Sequence, residues 1–207
     1  MKKTIFKKFA SIALALSLVF SLAATSFAAD ITTSGGNAST PVYLSSTSDG
    51  TLSGEPVATA LSATVPTALP MAVSQDGTVT TADDCKIVNN SYGAVRVKTA
   101  TINSENGWSL TAFGSKDTLA SEKVDSNKIG FAMTIGEGQQ VATDDSNADT
   151  QTLIDAPVTG CYMSGVGDTS NNSISVDYDA IVTPLSVAAD ETTVASVVFV
   201  VEWDSAS

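Results

Sequence analysis

No histidine occurs anywhere in the 207 residues. That absence removes Ser-His-Asp and Cys-His catalysis and every metal site built on imidazole. Cations are almost as scarce. Lys2, Lys3, Lys7 and Lys8 use up four of the ten basic residues, leaving six against 22 acidic ones in the rest of the chain, a net charge of −16 there. Such a chain cannot line a groove that follows phosphates, which excludes nucleic acid, and it is repelled by anionic lipid. Charged residues are 15% and aromatic ones 6%, so the polar surface must be built mainly from Ser, Thr, Asn and Gly. Two cysteines are too few for a zinc site and too far apart for a redox motif. With no Gly-rich phosphate loop, nucleophile elbow or metal triad either, the chain is read as non-enzymatic, with no catalytic residue and no cofactor.

What is present begins with an export signal over residues 1–28. The four lysines form a positive start, Phe9 to Val19 an apolar stretch, and Ser26-Phe27-Ala28 a small-residue cleavage site before Ala29. The apolar stretch is shorter than the roughly 20 residues of a spanning helix. The end, Trp203-Asp204-Ser205-Ala206-Ser207, carries no sortase-type motif or hydrophobic tail. These features predict a secreted, extracellular protein with no membrane association after signal cleavage. In an oxidising compartment Cys85 and Cys161 could bridge, closing a loop of 77 residues counted from the sequence. Such a bridge would stabilise the fold by about 4–5 kcal/mol. Two free thiols are the alternative.

Residues 29–56 are rich in Ser, Thr and Gly and read as a flexible arm, with one short strand around Pro41 to Leu44. From residue 57 to 207 the pattern becomes β-branched, alternating segments separated by turn residues, the signature of one all-β, antiparallel β-sandwich domain of immunoglobulin-like type. Val57, Thr59, Leu61, Ala63 and Val65 would share a strand face. Asp76-Gly77 marks a hairpin turn. Val95, Val97, Thr99 and Thr101 would form one face of a half-buried strand, and Trp108, Leu110 and Ala112 a face of the next. Ile129 to Ile135 points four large side chains one way. Ile174 to Val182 has the cleanest alternation of apolar and polar residues in the chain. A single helical turn is expected within Asp117 to Lys123.

Three stretches carry a likeness: Ala63-Thr64-Val65-Pro66-Thr67-Ala68-Leu69-Pro70, then Ala82 to Ser91, then Asn106-Gly107-Trp108-Ser109-Leu110; the ending Val198 to Trp203 fits with them. Together they resemble the WxL surface domains of Gram-positive bacteria. The resemblance maps Trp108 and Leu110 to the proximal Trp-x-Leu motif and Trp203 to the Trp of the distal one. That distal motif is degenerate, because Asp204-Ser205 follows Trp203. The resemblance implies a largely β-stranded module that attaches non-covalently to the cell wall.

Several groups are candidates for function. The two tryptophans, Trp108 and Trp203, are either stacking platforms for glycan or core side chains facing each other. Tyr43, Tyr92 and Tyr162 are expected to be the better exposed aromatics. Asp145, Asn147 and Asp149 alternate as oxygen ligands do at the start of a calcium loop, but Thr150 and Ala156 replace the Gly and the acid an EF-hand requires. A solvated acidic turn is the default, a looser calcium site the alternative. Asp177 and Asp179 lie on one strand face about 7 Å apart, and alternation with Ser makes that a solvent face. In the last strand Val197, Phe199, Val201 and Trp203 would fill the core while Val194, Val198 and Val200 point outward. Cover from the 136–172 region is expected; without cover, those valines make an intermolecular surface.

The expected function is therefore non-covalent binding, at the cell surface or in the extracellular matrix, to cell-wall polymer or to another extracellular protein or glycan. One alternative is a homo-oligomeric subunit of extracellular fibres or biofilm matrix, assembling by β-strand addition. Another is a calcium-tuned carbohydrate-binding module.

Overall fold

The structure, a computed structural model, describes Leu44, residues 58–146 and residues 148–205. The expected signal segment, the 29–56 arm apart from Leu44, Tyr43, Val57 and Asn147 lie outside the described residues. Thr59–Ser207 forms a compact unit, and the description below concerns that unit alone. Strands take up 41% of the described residues and helix 2%, so the fold is all-β. In chain order the strands are β1 (Ala63–Thr64), β2 (Met71–Val73), β3 (Val79–Thr81), β4 (Lys86–Asn89), β5 (Val95–Ser104), β6 (Ser109–Thr111), β7 (Lys128–Ile135), β8 (Val141–Ala142), β9 (Thr150–Ile154), β10 (Tyr162–Met163), β11 (Ser173–Val182) and β12 (Ala195–Trp203).

The larger sheet runs β1-β4-β11-β7-β6, with β8 also on β7; the smaller runs β10-β5-β12, with β9 also on β5. The hairpin β2-β3 stands apart. All pairings are antiparallel except β6 with β7. Ile87, Leu110, Met133 and Val176 from the larger sheet share one apolar cluster with Val95, Val97, Ala100 and Ile102 from the smaller. Two sheets closing on a common core give a sandwich-like arrangement.

Local chemistry explains where the chain turns. Gly77, at φ +79°, makes the β2-β3 turn, and the carboxylate of Asp76 accepts hydrogen bonds from the Ser74 hydroxyl and the Thr78 amide. Asn106 and Gly107 both have positive φ, and the Trp108 N–H donates to the Glu105 carbonyl at 3.0 Å. That is the tight turn Asn-Gly favours, although here it passes the chain from one sheet to the other. The expected helical turn is a single 3-10 turn at Lys116–Thr118.

Three sequence expectations change. Of the expected 57–65 strand, described residues 58–65 are strand only at Ala63–Thr64, because their one partner among the described residues, β4, is four residues long and breaks into a turn after Asn89; Leu61 and Val65 stay exposed. On β5 the predicted face holds for Val95 and Val97 and then switches: Ala100 and Ile102 are fully buried, while Thr99 and Thr101 are only half-buried. The cause is a bulge. Val200 pairs with Thr99 and Val201 with Val97, which leaves Lys98 as an extra residue and moves every later side chain to the other face. Third, of the valines expected to point outward Val194 packs on the core, while Val198 and Val200 have no cover among the described residues and are 50% and 43% exposed. The 136–172 region supplies β9 and β10, but both lie on the far side of β5 from β12.

Among the described residues the buried side-chain polar atoms other than the Ser126 hydroxyl are paired, and they pin the loops. Asn89 is fully buried; its Nδ2 donates to the carbonyls of Gly93 and Ser164, and its Oδ1 accepts the Ser91 N–H. The Thr143 hydroxyl donates to the Thr111 carbonyl at 2.6 Å and accepts the Phe131 N–H at 2.9 Å, joining β6, β7 and the segment after β8. Asn89→Ala takes this partner from the buried Ser91 N–H and the part-buried Gly93 and Ser164 carbonyls and is expected to lower stability by about 2–4 kcal/mol. Urea unfolding measures this, and a loss under about 1 kcal/mol would show that water replaces the amide.

Candidate functional site

The tryptophans do not face each other. Trp108 follows the turn at one end of β5 and Trp203 pairs with Val95 at the other, so the length of β5, about 30 Å, separates them. Each is half-buried and packs on the core, and Leu110 is buried in it. The Trp203 ring lies against Gly93, where an added Cβ would stand 3.1 Å from its Cζ3. The motif residues thus serve packing. The better exposed aromatics are Tyr92 and Tyr162.

Tyr162 borders an open cleft of about 460 Å³. One wall is the start of β11, at Ser173, Ile174 and Ser175; the other is Glu137 after β7 with Thr159 before β10. The floor is bare main chain. An added Cβ on Gly136 would stand 2.7 Å from the Gly160 carbonyl oxygen, and one on Gly160 would stand 2.6 Å from the Gly138 nitrogen. Two backbone segments approach this closely only where side chains are missing, and positive φ at Gly136 and Gly160 adds a second reason for glycine. Sequence reading singled out Tyr162 but missed this setting. The available signal was Gly136-Glu137-Gly138, which forms the loop between the paired strands β7 and β8, together with Gly160 before β10.

Next to the cleft, on the outer face of the smaller sheet, lies a shared ion cluster. Tyr162 stands across from Arg96 on β5. Both Glu202 oxygens are engaged, one by Arg96 at 2.9 Å and one by Lys98 at 3.0 Å, and Asp204 reaches Arg96 at 3.5 Å. Lys98 and then Arg96 hold the Glu202 carboxyl below the usual carboxylate range.

The remaining candidates come apart. Asp145 and Asp149 are exposed, and Asn147 lies outside the described residues. The neighbouring Asp144 carboxylate is held below its ordinary pKa by the Ser146 hydroxyl and then the Ser146 N–H, while Gln151 bonds the Asp144 main chain from both sides. No group of three or more Cys, Asp or Glu side chains able to hold a metal occurs among the described residues. Asp177 and Asp179 point to solvent from β11, between buried Val176, Tyr178 and Ala180. Cys85 and Cys161 are both free thiols: Cys85 lies beside β11 in the larger sheet and buried Cys161 beside β5 in the smaller. Among the described residues no helix is long and apolar enough to cross a membrane. Compared with protein-family models, curated proteins and solved structures, the chain has no match.

Beside the core of the larger sheet, buried Tyr178 and half-buried Cys85 form a titrating pair. The Tyr178 hydroxyl donates to the Pro70 carbonyl and accepts the Ala82 N–H, tying the β2-β3 hairpin to β11. Burial raises Tyr178 above its ordinary 10.0, and burial with the Asp84 charge raises Cys85 above 9.0. The folded chain therefore keeps both protons at a pH where the unfolded chain releases them. The stability this contributes is present below about pH 9 and is lost as pH rises through the folded values. Urea unfolding between about pH 8 and pH 11 should show falling stability, and both Cys85→Ala and Tyr178→Phe should flatten the slope. An unchanged slope in both variants would refute the assignment.

Proposed function

We propose that the chain is an exported, non-enzymatic surface protein, WxL-like in character, that binds a neutral extracellular glycan such as cell-wall polymer through the cleft beside Tyr162. The observation that carries this reading is the juxtaposition in one open cleft of an exposed phenol ring, a carboxylate at Glu137 and hydroxyls at Thr159 and Ser173. A sugar ring offers an apolar C–H face and a rim of hydroxyls. An aromatic face suits the first, and a carboxylate with hydroxyls suits the second. The leader supports export, and the lack of histidine supports binding over catalysis. A net −16 disfavours anionic teichoic acids and leaves neutral polymer as the better partner.

The test is sedimentation of purified protein with and without Gram-positive cell walls. The protein should pellet only with walls. Tyr162→Ala should weaken retention about tenfold, the loss of an aromatic anchor worth roughly 1.4 kcal/mol, while Tyr162→Phe should keep most of it. Protein that stays soluble with walls would sink the polymer reading.

A further inference from the structure

We infer that β12 is a self-association edge, on which a second copy of the chain adds its own β12 antiparallel about a two-fold axis at Phe199. This rests on a different surface from the cleft and stands or falls without it.

Among the described residues β12 pairs only with β5. Its outer side is therefore an open row of main-chain donors and acceptors, nine residues long. Edge strands are normally protected by being short, by Pro or Lys, or by cover. Ala195-Ser196-Val197-Val198-Phe199-Val200-Val201-Glu202-Trp203 has no Pro, no Lys and a single charge. Its inward side chains also differ from those of its neighbour. On β5, Val95, Val97, Ala100 and Ile102 are fully buried, whereas on β12 Val197, Phe199, Val201 and Trp203 are all only half-buried. The core is unfinished along this rim.

The hydrogen-bond parity selects a register. Glu105 N–H donates to the Val194 carbonyl at one end of the β5-β12 ladder and Asp204 N–H to the Ala94 carbonyl at the other. Antiparallel alternation then turns the main-chain groups of Ala195, Val197, Phe199, Val201 and Trp203 to the open side. The odd positions are symmetric about Phe199, the midpoint of the strand. A two-fold there pairs Phe199 with itself, Val197 with Val201 and Ala195 with Trp203, so all five edge-facing residues find partners, for about ten main-chain hydrogen bonds. On the outer face it brings Val198 of each copy against Val200 of the other and covers the four exposed valines.

Charge does not select this register; the main-chain parity does. Ser196, bonded to Glu105 at 2.9 Å, comes opposite Glu202 of the second copy, which carries Lys98 at 3.0 Å. Glu105 of one copy thus comes near an ion cluster of the other whose two cations, Arg96 and Lys98, are balanced by Glu202 and Asp204. A second copy in this arrangement closes a dimer, because the interface uses the same patch on both sides and leaves no free β12 to propagate a filament.

The experiment is sedimentation velocity of the full chain from about 1 to about 100 μM, with amide hydrogen exchange at both ends of that range. A monomer–dimer equilibrium is expected, with exchange at Val197, Phe199 and Val201 slowing as concentration rises and exchange at Val198 and Val200, already bonded to β5, unchanged. The double variant Val198→Lys, Val200→Lys alters only exposed side chains, should melt like the parent and should weaken the dimer at least tenfold. A monomer throughout, a dimer without the odd-residue protection, assembly beyond the dimer, or a dimer indifferent to the valine variants would each overturn the proposal.

Discussion

Strand β5 is the element to which the smaller sheet is bound, since it is hydrogen-bonded along one edge to β12 and along the other to β9 and β10. Its four inward side chains, Val95, Val97, Ala100 and Ile102, are fully buried, and they reach the inward residues of β4, β7 and β11 across one core. A strand with both edges paired and one face fully covered has no freedom of register, because a slip by one residue would move all four into solvent. The bulge at Lys98 lets it meet two demands. Before the bulge it carries Arg96 and Lys98 outward to Glu202; after it, Thr99 and Thr101 replace them outside and Ala100 and Ile102 enter the core.

The second structural theme is the way a chain poor in charge holds its loops. Five ion pairs occur among the described residues, and three of them converge on the Arg96–Glu202 cluster. The rest of the loop geometry depends on amides, hydroxyls and short carboxylate turns. Asn89 ties the end of β4 to the segments at Gly93 and Ser164, Thr143 joins three segments of the larger sheet, and Tyr178 secures the β2-β3 hairpin. Exposed aspartates such as Asp125 and Asp168 cap nearby amides and hydroxyls, which lowers their pKa. Carboxylates used this way are turn-forming groups, and the same reading extends to Asp144 in the acidic loop.

Two surfaces of different chemistry follow from this frame. One end carries a cleft with a phenol ring, a carboxylate and hydroxyls over a floor of bare backbone, suited to a polar ligand with apolar faces. The rim of the smaller sheet carries an apolar strand with an open ladder edge, suited to another strand. The two meet at Arg96, which stands across from Tyr162 on one side and binds Glu202 of β12 on the other.

The sequence by itself determined the all-β class, the hairpin at Asp76-Gly77, and the strands β7, β11 and β12. Strict alternation or a sustained β-branched run has only one way to bury its apolar side chains. It also determined the charge balance and the lack of histidine, which need no structure to exclude whole chemistries. Tertiary structure alone decided the rest. The face of β5 beyond Lys98 depended on a bulge that exists only in pairing with β12, and local alternation contains no sign of it. The fate of the outer valines depended on sheet order, because cover by the 136–172 region required β9 and β10 to lie beside β12 and they lie across β5. The separation of Trp108 from Trp203, and the gathering of Tyr162 with Glu137 and Ser173 at one cleft, are likewise products of strand order. Periodicity specifies which side of a strand is inside; only the packed sheets specify what stands next to it.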